Sequence, residues 1–309
     1  MRIKLLPENP NYAFLSKRMI FYVFSSLLVA SSIAMFSIKG LSYGIDFTGG
    51  IMIEVKMSEP DQIGSMRSTL SQLGLGAVEL QEFGTSDDIM IRLQAQDGGE
   101  AANQAAVNAV KKALGDGVEY RRTELVGPKV SDELFLNGIY AVVSAIMAIL
   151  IYIWFRFEWQ FGLSAVVALA HDVISTIGVF SLIQHEFNLT TVAAVLTIAG
   201  YSINDTVVVF DRVRENLRKY KTMPMEQLLN QSVNETLSRT TMTSFTTLLA
   251  LVALYYFGGE IIRDFAFAMI WGILIGTYSS ICVAVPMLLH MSVERRSGED
   301  DQQAQEQQS

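Results

Sequence analysis

A polytopic α-helical membrane protein is the predicted fold class: six transmembrane helices plus a ferredoxin-like α+β domain between the first and the second. Three observations carry that prediction. Half of the 309 residues are hydrophobic and 17% are charged, with a mean hydropathy of +0.32, too apolar for an ordinary soluble domain. Six apolar runs, at 19–38, 134–155, 161–183, 190–210, 240–257 and 265–291, are each about the 20 residues that cross hydrocarbon. Between the first and second runs, residues 39–132 switch to the shorter periods of strands and amphipathic helices.

Lys17 and Arg18 precede the first run, as basic residues precede a secretory leader. The run is longer than the roughly 7–15 apolar residues of a leader and no Ala-x-Ala site follows, so an uncleaved anchor is expected. Basic residues mark one side of the membrane: Arg2, Lys4, Lys17 and Arg18 before the first run, Arg156 after the second, and Arg212, Arg214, Arg218, Lys219 and Lys221 after the fourth. Arg295 and Arg296 follow the sixth. The opposite loops carry none at 184–189 and only Arg263 at 258–264. The positive-inside rule then puts residues 1–18 and 294–309 in the cytoplasm and 39–132 outside it. The net charge of -8 argues against a nucleic-acid binder. A single cysteine, Cys282 in the last run, leaves no internal disulfide.

Within 39–132, strands are expected at 50–56, 78–83, 88–93 and 118–126, with helices at 61–73 and 100–114. Gly84-Thr85-Ser86 is the hairpin signal between the middle strands, and Gly115 stops the second helix. The order β-α-β-β-α-β is that of the split ferredoxin-like unit. Its 14 Asp and Glu against 9 Lys and Arg read as a solvated surface rather than a site. Between the fourth and fifth runs, Thr222 and Pro224 signal a helix start, and Met225, Leu228, Leu229, Val233 and Leu237 share one face. Segment 222–238 is therefore either an amphipathic helix on the cytoplasmic surface or a connector packed under the bundle. The Gln- and acid-rich tail at 294–309 is expected to be disordered.

The chemistry sits in the apolar runs. A charge at the centre of a spanning helix costs about 2.5–3.5 kcal/mol on insertion scales, so one kept there generally has a use. Asn204-Asp205 lies in the fourth run and His171-Asp172 in the third. Tyr201, Asn204, Asp205 and Val208 have the i, i+3, i+4, i+7 spacing of one face, flanked by Ser202 and Thr206. A buried carboxylate must be protonated, paired or wetted. Arg239, at the start of the fifth run, is the cation placed to reach Asp205, with Thr243, Thr246 and Thr247 continuing its face. Set against this, an arginine there also snorkels to headgroups, and Asp172 serves equally as a packing group bonded to a neighbouring helix. Gly272, Gly276 and Ser280 form a small-residue row for helix packing.

Two stretches carry a resemblance: Gly44-Ile45-Asp46-Phe47-Thr48-Gly49-Gly50, and Tyr201 through Arg212 (YSINDTVVVFDR) continuing to Arg214-Glu215-Asn216. With His171-Asp172 and Ser238-Arg239-Thr240, they resemble the SecF family, the smaller membrane subunits of the SecD–SecF protein-export complex. The likeness runs in order along nearly the whole chain. The second motif is long and specific, whereas the glycine-rich one is shared with SecD. The resemblance implies half of a resistance-nodulation-division transporter, paired with SecD in the bacterial inner membrane, with 39–132 periplasmic. It implies a non-enzymatic subunit without cofactors that uses the ion gradient to promote polypeptide passage through SecYEG and release on the far side. YajC and YidC are further candidate partners.

Carried over residue by residue, Asp205 and Arg239 fall on the family's proton-path positions, and Asn204 and Asp172 join them as ion-path candidates. Gly44, Asp46, Gly49, Gly50, Ser202, Thr206, Asp211 and Arg212 are motif positions. A further path aspartate belongs to SecD, so one chain is an incomplete route. The coupling ion is H+, or Na+ if Asn204, Asp205 and nearby hydroxyls complete an oxygen shell. Three other classes compete. A passive scaffold subunit would use its buried polar groups only for packing. An intramembrane aspartyl protease would use Asp172 and Asp205, but no Gly-x-Gly-Asp surrounds Asp205 and no Pro-Ala-Leu follows. A small-molecule exporter of the same superfamily usually carries both halves and two large external domains in one chain.

Overall fold

The computed structural model describes residues 11–57, 63–83 and 85–291. It divides into two compact units, one holding Tyr43–Ala141 with Glu186–Leu189 and the other the rest of the described chain.

The first helix, α1 (Arg18–Lys39), leads through β1 (Ser42–Tyr43) and the short α2 (Ile45–Thr48) into the α+β unit. There follow β2 (Gly50–Met57), α3 (Ile63–Ser71), β3 (Val78–Phe83), β4 (Thr85–Leu93), α4 (Glu100–Leu114) and β5 (Val118–Val126). The sheet order is β3-β4-β2-β5 with every pairing antiparallel, the ferredoxin-like arrangement expected from the element order. Alternation selects the faces. Ile51, Ile53 and Val55 of β2, with Ile89, Ile91 and Leu93 of β4, pack on Met66 and Leu70 of α3 and on Ala106, Val107 and Val110 of α4.

The central strand β2 is also covered on its second face, where Met52 meets Ile45 and Met90. The expectation of a purely solvated acidic surface fails there. Glu54 and Asp88 are buried, with Arg122 3.5 Å from Glu54 and Arg121 3.2 Å from Asp88. Both cations come from β5, which is beside the strand of Glu54 and one strand removed from that of Asp88. Of the hairpin signal, Gly84 lies outside the described residues, as do Asp61 and Gln62 of the expected first helix, and the strand begins at Thr85.

Among the described residues six helical segments are long and apolar enough to cross a membrane; five contain an expected run whole, and the sixth covers all but the last residue of 265–291. They are α1 with its preceding 3-10 turn (Leu15–Lys17), α5 (Pro128–Arg156), α6 (Trp159–Ile183), α7 (Leu189–Lys219), α8 (Met225–Phe257) and a composite last span. The two-residue β6 (Glu186–Phe187) sits between α6 and α7. The helices outrun the apolar stretches because helix formation does not stop where hydrophobicity does. Past Phe210, α7 continues with Val213 and Leu217 on the buried side. The surface-helix alternative for 222–238 is corrected: Met225–Phe257 is one helix, and Leu228, Leu229, Val233 and Leu237 lie in the bundle core with Phe157, Phe161 and Phe210.

The last span has a structural break. It runs as α9 (Glu260–Ser279), a π-helical stretch Ser280–Ala284, α10 (Val285–Met287) and a 3-10 turn Leu288–His290. Pro286 explains the break, since it has no N–H to donate and its ring crowds the carbonyl four residues back, at Cys282. Widening the preceding turn accommodates both effects.

Small residues set the closest approaches. Gly178 of α6 faces Ser32 of α1, where an added Cβ would overlap the serine side chain and come within 2.6 Å of its Cα. Gly272 packs on Ile198, and Gly276 on Ser202, both of α7, so the small-residue row is a packing face. The α1–α6 contact is the less forgiving, because backbone blocks it. Replacing Gly178 by Ala should lower unfolding stability in detergent by about 1–3 kcal/mol. Gly64→Ala, where nothing lies near, should be neutral. Equal melting temperatures for both variants would refute this account of the interface.

Candidate functional site

Three helices converge on one carboxylate. Asp172 of α6 is completely buried, and its Oδ2 accepts hydrogen bonds from Ser202 Oγ of α7 at 2.6 Å and Ser279 Oγ of α9 at 2.7 Å. Its Oδ1 lies 2.9 Å from His171 Nδ1. Ser175 and Thr176 donate back to the Asp172 carbonyl, at 3.0 and 2.8 Å. The His171 ring lies 6.1 Å from the Tyr278 ring, whose hydroxyl pairs with Ser25 of α1 and donates to the Phe21 carbonyl. A polar seam thus runs from α1 to α7, and Asp172 is its most connected member. Sequence reasoning found Asp172 and Ser202 but missed Ser279, Tyr278 and Ser25. Ser279 precedes Ser280 of the small-residue row, which was the one available signal.

Asp205 is placed differently. One turn beyond Ser202 on α7, it is 3% exposed, and its Oδ2 has no protein hydrogen-bond partner. Tyr201 OH, Thr206 Oγ1 and Thr240 Oγ1 are likewise buried and unbonded. Arg212 Nε donates to Glu235 Oε2 at 2.6 Å, and Asn216 Nδ2 donates to Ser232 Oγ at 2.9 Å, fixing an antiparallel register between α7 and α8. Continued along the two helices, that register brings Asp205 level with the stretch from Arg239 to Thr243.

Arg239, in the stretch of α8 that this register brings level with Asp205, makes no direct ion pair with it and is exposed. Asn204 is exposed too, because consecutive helical residues are turned by about 100°. The expected shared face therefore splits. Asp205 points inward and Asn204 outward, and the oxygen shell considered for sodium is not gathered by these two residues. Thr243, Thr246 and Thr247 donate to carbonyls of their own helix. Among the described residues no cluster of His, Cys, Asp and Glu could hold a metal.

The second half of the long motif braces the ends of the helices. Asp211 accepts from Arg156 Nη2 at 2.9 Å, while Arg212 bonds Glu215 and Glu235. Glu235, which also accepts from Asn216 at 2.8 Å, was not singled out from the sequence.

In the α+β unit the glycine-rich motif turns the chain tightly. Gly49 and Gly50 both adopt positive φ, of 68° and 116°, which a side chain resists. Gly44 is packed against Glu186 Oε1, leaving no room for a Cβ. Asp46 Oδ2 accepts from the backbone N of Leu189 at 3.0 Å, an anion on the first free N–H of α7. Arg92 donates to the Tyr43 carbonyl at 3.1 Å and lies 3.6 Å from Glu186. Tyr43, Phe47, Phe135 and Phe187 form an aromatic cluster beside it. These motif residues are structural in every contact the structure shows.

Six spanning helices, an inserted ferredoxin-like domain and carboxylates buried between spans define a polytopic membrane protein of the transport class. The chain belongs to the SecD/SecF protein-export family, on its SecF branch. Residues 106–294 match the family model described as protein export membrane protein SecD/SecF, C-terminal, and residues 34–61 match the SecD/SecF GG motif. The chain is 46% identical to the protein translocase subunit SecF of Cereibacter sphaeroides, over 98% of this chain and 96% of that one. It is also 46% identical to that of Rhodobacter capsulatus, over 97% and 95%. The crystal structure of SecDF, a translocon-associated membrane protein from Thermus thermophilus, superposes with a TM-score of 0.84 at 35% identity. That match covers 94% of this chain but only 40% of the Thermus chain, so the present chain spans less than half of that protein.

The contrast between the two acids is testable. Asp172→Ala would leave the Ser202 hydroxyl without its acceptor and remove the bond from Ser279 to α6, and should cost about 1–3 kcal/mol in detergent unfolding. Asp172→Asn keeps an acceptor and should cost less. Unfolding curves for the alanine variant that overlay the parent would show that the Asp172 seam does not hold the bundle.

Proposed function

We propose that this chain is the SecF-type subunit of an inner-membrane protein-export assembly, with both termini cytoplasmic and the α+β unit periplasmic. Its partner is SecD, and the pair assists polypeptide movement through SecYEG, with YajC and YidC as accessory contacts. Export is driven by ion entry through a path in which Asp205 changes charge state and Arg239 is its counter-charge. The observation that carries this reading is the buried Asp205 oxygen with no hydrogen-bond partner. A group held for packing would be satisfied, as Asp172 is.

The physical step is a switch of partner. Ionised, Asp205 attracts Arg239 across the α7–α8 contact; protonated, it loses that attraction and the two helices are free to shift. Membrane potential contributes about 2.3 kcal/mol per charge per 100 mV, enough to bias such a shift. Asp172 serves as a positioning group, tying α6 and α9 to α7 close to the moving acid. The chain holds no second unsatisfied acid of this kind among the described residues of the bundle, in keeping with a path completed by SecD. Asn204 and Arg239, exposed on α7 and α8, are the polar groups that partner would cover.

In vesicles carrying the chain with its partner and the channel, Asp205→Asn should abolish the gradient-dependent part of export while the complex still copurifies. Arg239→Met should behave alike, and Asp172→Asn should retain most activity. Normal gradient-dependent export by the Asp205 variant would remove that residue from the mechanism and leave the scaffold reading.

A further inference from the structure

At the bundle end that carries Arg156, a cavity of about 430 Å³ opens between the last turn of α5 and the last turns of α7. Its walls are Arg156, Asp211, Arg214, Glu215, Arg218 and Lys219. The cations are held rather than dangling. The Arg156 and Arg214 guanidinium groups stack on one ring, that of the buried Phe157, at 5.1 and 5.5 Å from its centre. Arg214 also donates to the Arg156 carbonyl at 3.4 Å. Both carboxylates are already engaged, Asp211 by Arg156 and Glu215 by Arg212, which lies outside the cavity. Arg214, Arg218 and Lys219 take part in no ion pair among the described residues. The wall therefore offers uncompensated positive charge, and neither carboxylate is free to receive an ammonium.

We propose that this cavity binds the phosphate of an anionic membrane phospholipid. The surroundings favour a lipid over a soluble anion. Trp154, Phe155 and Trp159, which bracket Arg156 in sequence, are 75%, 85% and 60% exposed at the junction of two spans. Such aromatic side chains lie at the boundary between headgroups and hydrocarbon. A lipid whose phosphate meets the two stacked guanidiniums would lay its chains along these rings. Helix dipoles alone would explain single basic residues at helix ends. They do not explain two guanidiniums fixed on one buried ring facing a cavity. The inference depends on the membrane-spanning reading and not on the export mechanism.

The test uses the full chain, delipidated in neutral detergent and titrated with phosphatidylglycerol under native mass spectrometry. Phosphatidylcholine serves as the comparison lipid and inorganic phosphate as competitor. Phosphatidylglycerol should bind more tightly than phosphatidylcholine and should resist displacement by phosphate. The triple variant Arg214→Gln, Arg218→Gln, Lys219→Gln should lose about a hundredfold in affinity, given what each basic side chain contributes at an anionic surface. The charge-preserving variant Arg214→Lys, Arg218→Lys, Lys219→Arg should keep most of the binding, which separates lost charge from lost fold. Lys39→Gln, at another helix end, should have no effect. Equal binding of the two lipids, unchanged affinity in the triple variant, or displacement by free phosphate would each overturn the proposal.

Discussion

A carboxylate with no water to solvate it must be answered by protein, and in this bundle Asp172 is answered by three different helices. Ser202 brings α7, Ser279 brings α9, and His171 closes the remaining oxygen from its own helix. The arrangement has consequences beyond the site. Gly276 of α9 presents no side chain to Ser202 of α7, so serines of both helices can meet the one carboxylate of α6. Ser279 sits at the end of regular α9, immediately before the widened turn that Pro286 imposes, so the break falls just past the bond. Hydrogen bonds between spans are individually modest, about 0.6 kcal/mol on average in measured cases. Their value here lies in register: slipping α7 by one residue would remove Ser202 and turn Asp205 away from α8.

That register gives Asp205 its unusual position. It lies one turn from Ser202, which bonds the satisfied acid of α6, on the same buried side of α7, and its own Oδ2 has no partner. A buried unsatisfied carboxylate costs free energy that the rest of the bundle must offset. The lower part of α7 supplies some of that offset through Arg212, Glu235, Asn216 and Ser232, which stitch α7 to α8. The long motif thus reads as two adjacent parts: one stretch that holds the unsatisfied Asp205 and a second that stitches α7 to α8.

Much of this was legible from residue order. The strands and helices of the α+β unit fall close to where alternation, glycine stops and helical spacing put them, and every spanning helix overlaps its apolar run almost completely. The site was legible in part. Asp172, Asp205 and Arg239 stand out because ionisable residues in apolar runs are rare. Their different environments do not, since satisfaction depends on residues far along the chain, such as Ser279 for Asp172. Helix ends were missed at α5, α7 and α8, because hydropathy reports where lipid ends and not where hydrogen-bonded turns end. Asn204 was grouped with Asp205 on the strength of i, i+3, i+4 spacing, which defines a face wide enough to include both a buried and an exposed edge. The buried Glu54 and Asp88 escaped notice for a related reason: a strand covered on both faces does not declare its second cover.

Polar groups on the outside of the bundle complete the argument. Asn204, Arg239, Thr243 and Thr246 are exposed although they occur in helices apolar enough to cross a membrane. The threonines have answered their own hydroxyls through backbone carbonyls, so lipid contact costs them little. Asn204 and Arg239 have no such recourse on the hydrocarbon side, and a charged residue at depth costs several times a typical interhelical hydrogen bond. A single chain can escape that cost by snorkelling only where the residue lies near a helix end. A second set of helices laid over this face removes it in another way, by turning an exposed arginine into an interfacial one. On the proposed reading, the exposed cation of α8 is then a group that assembly would cover.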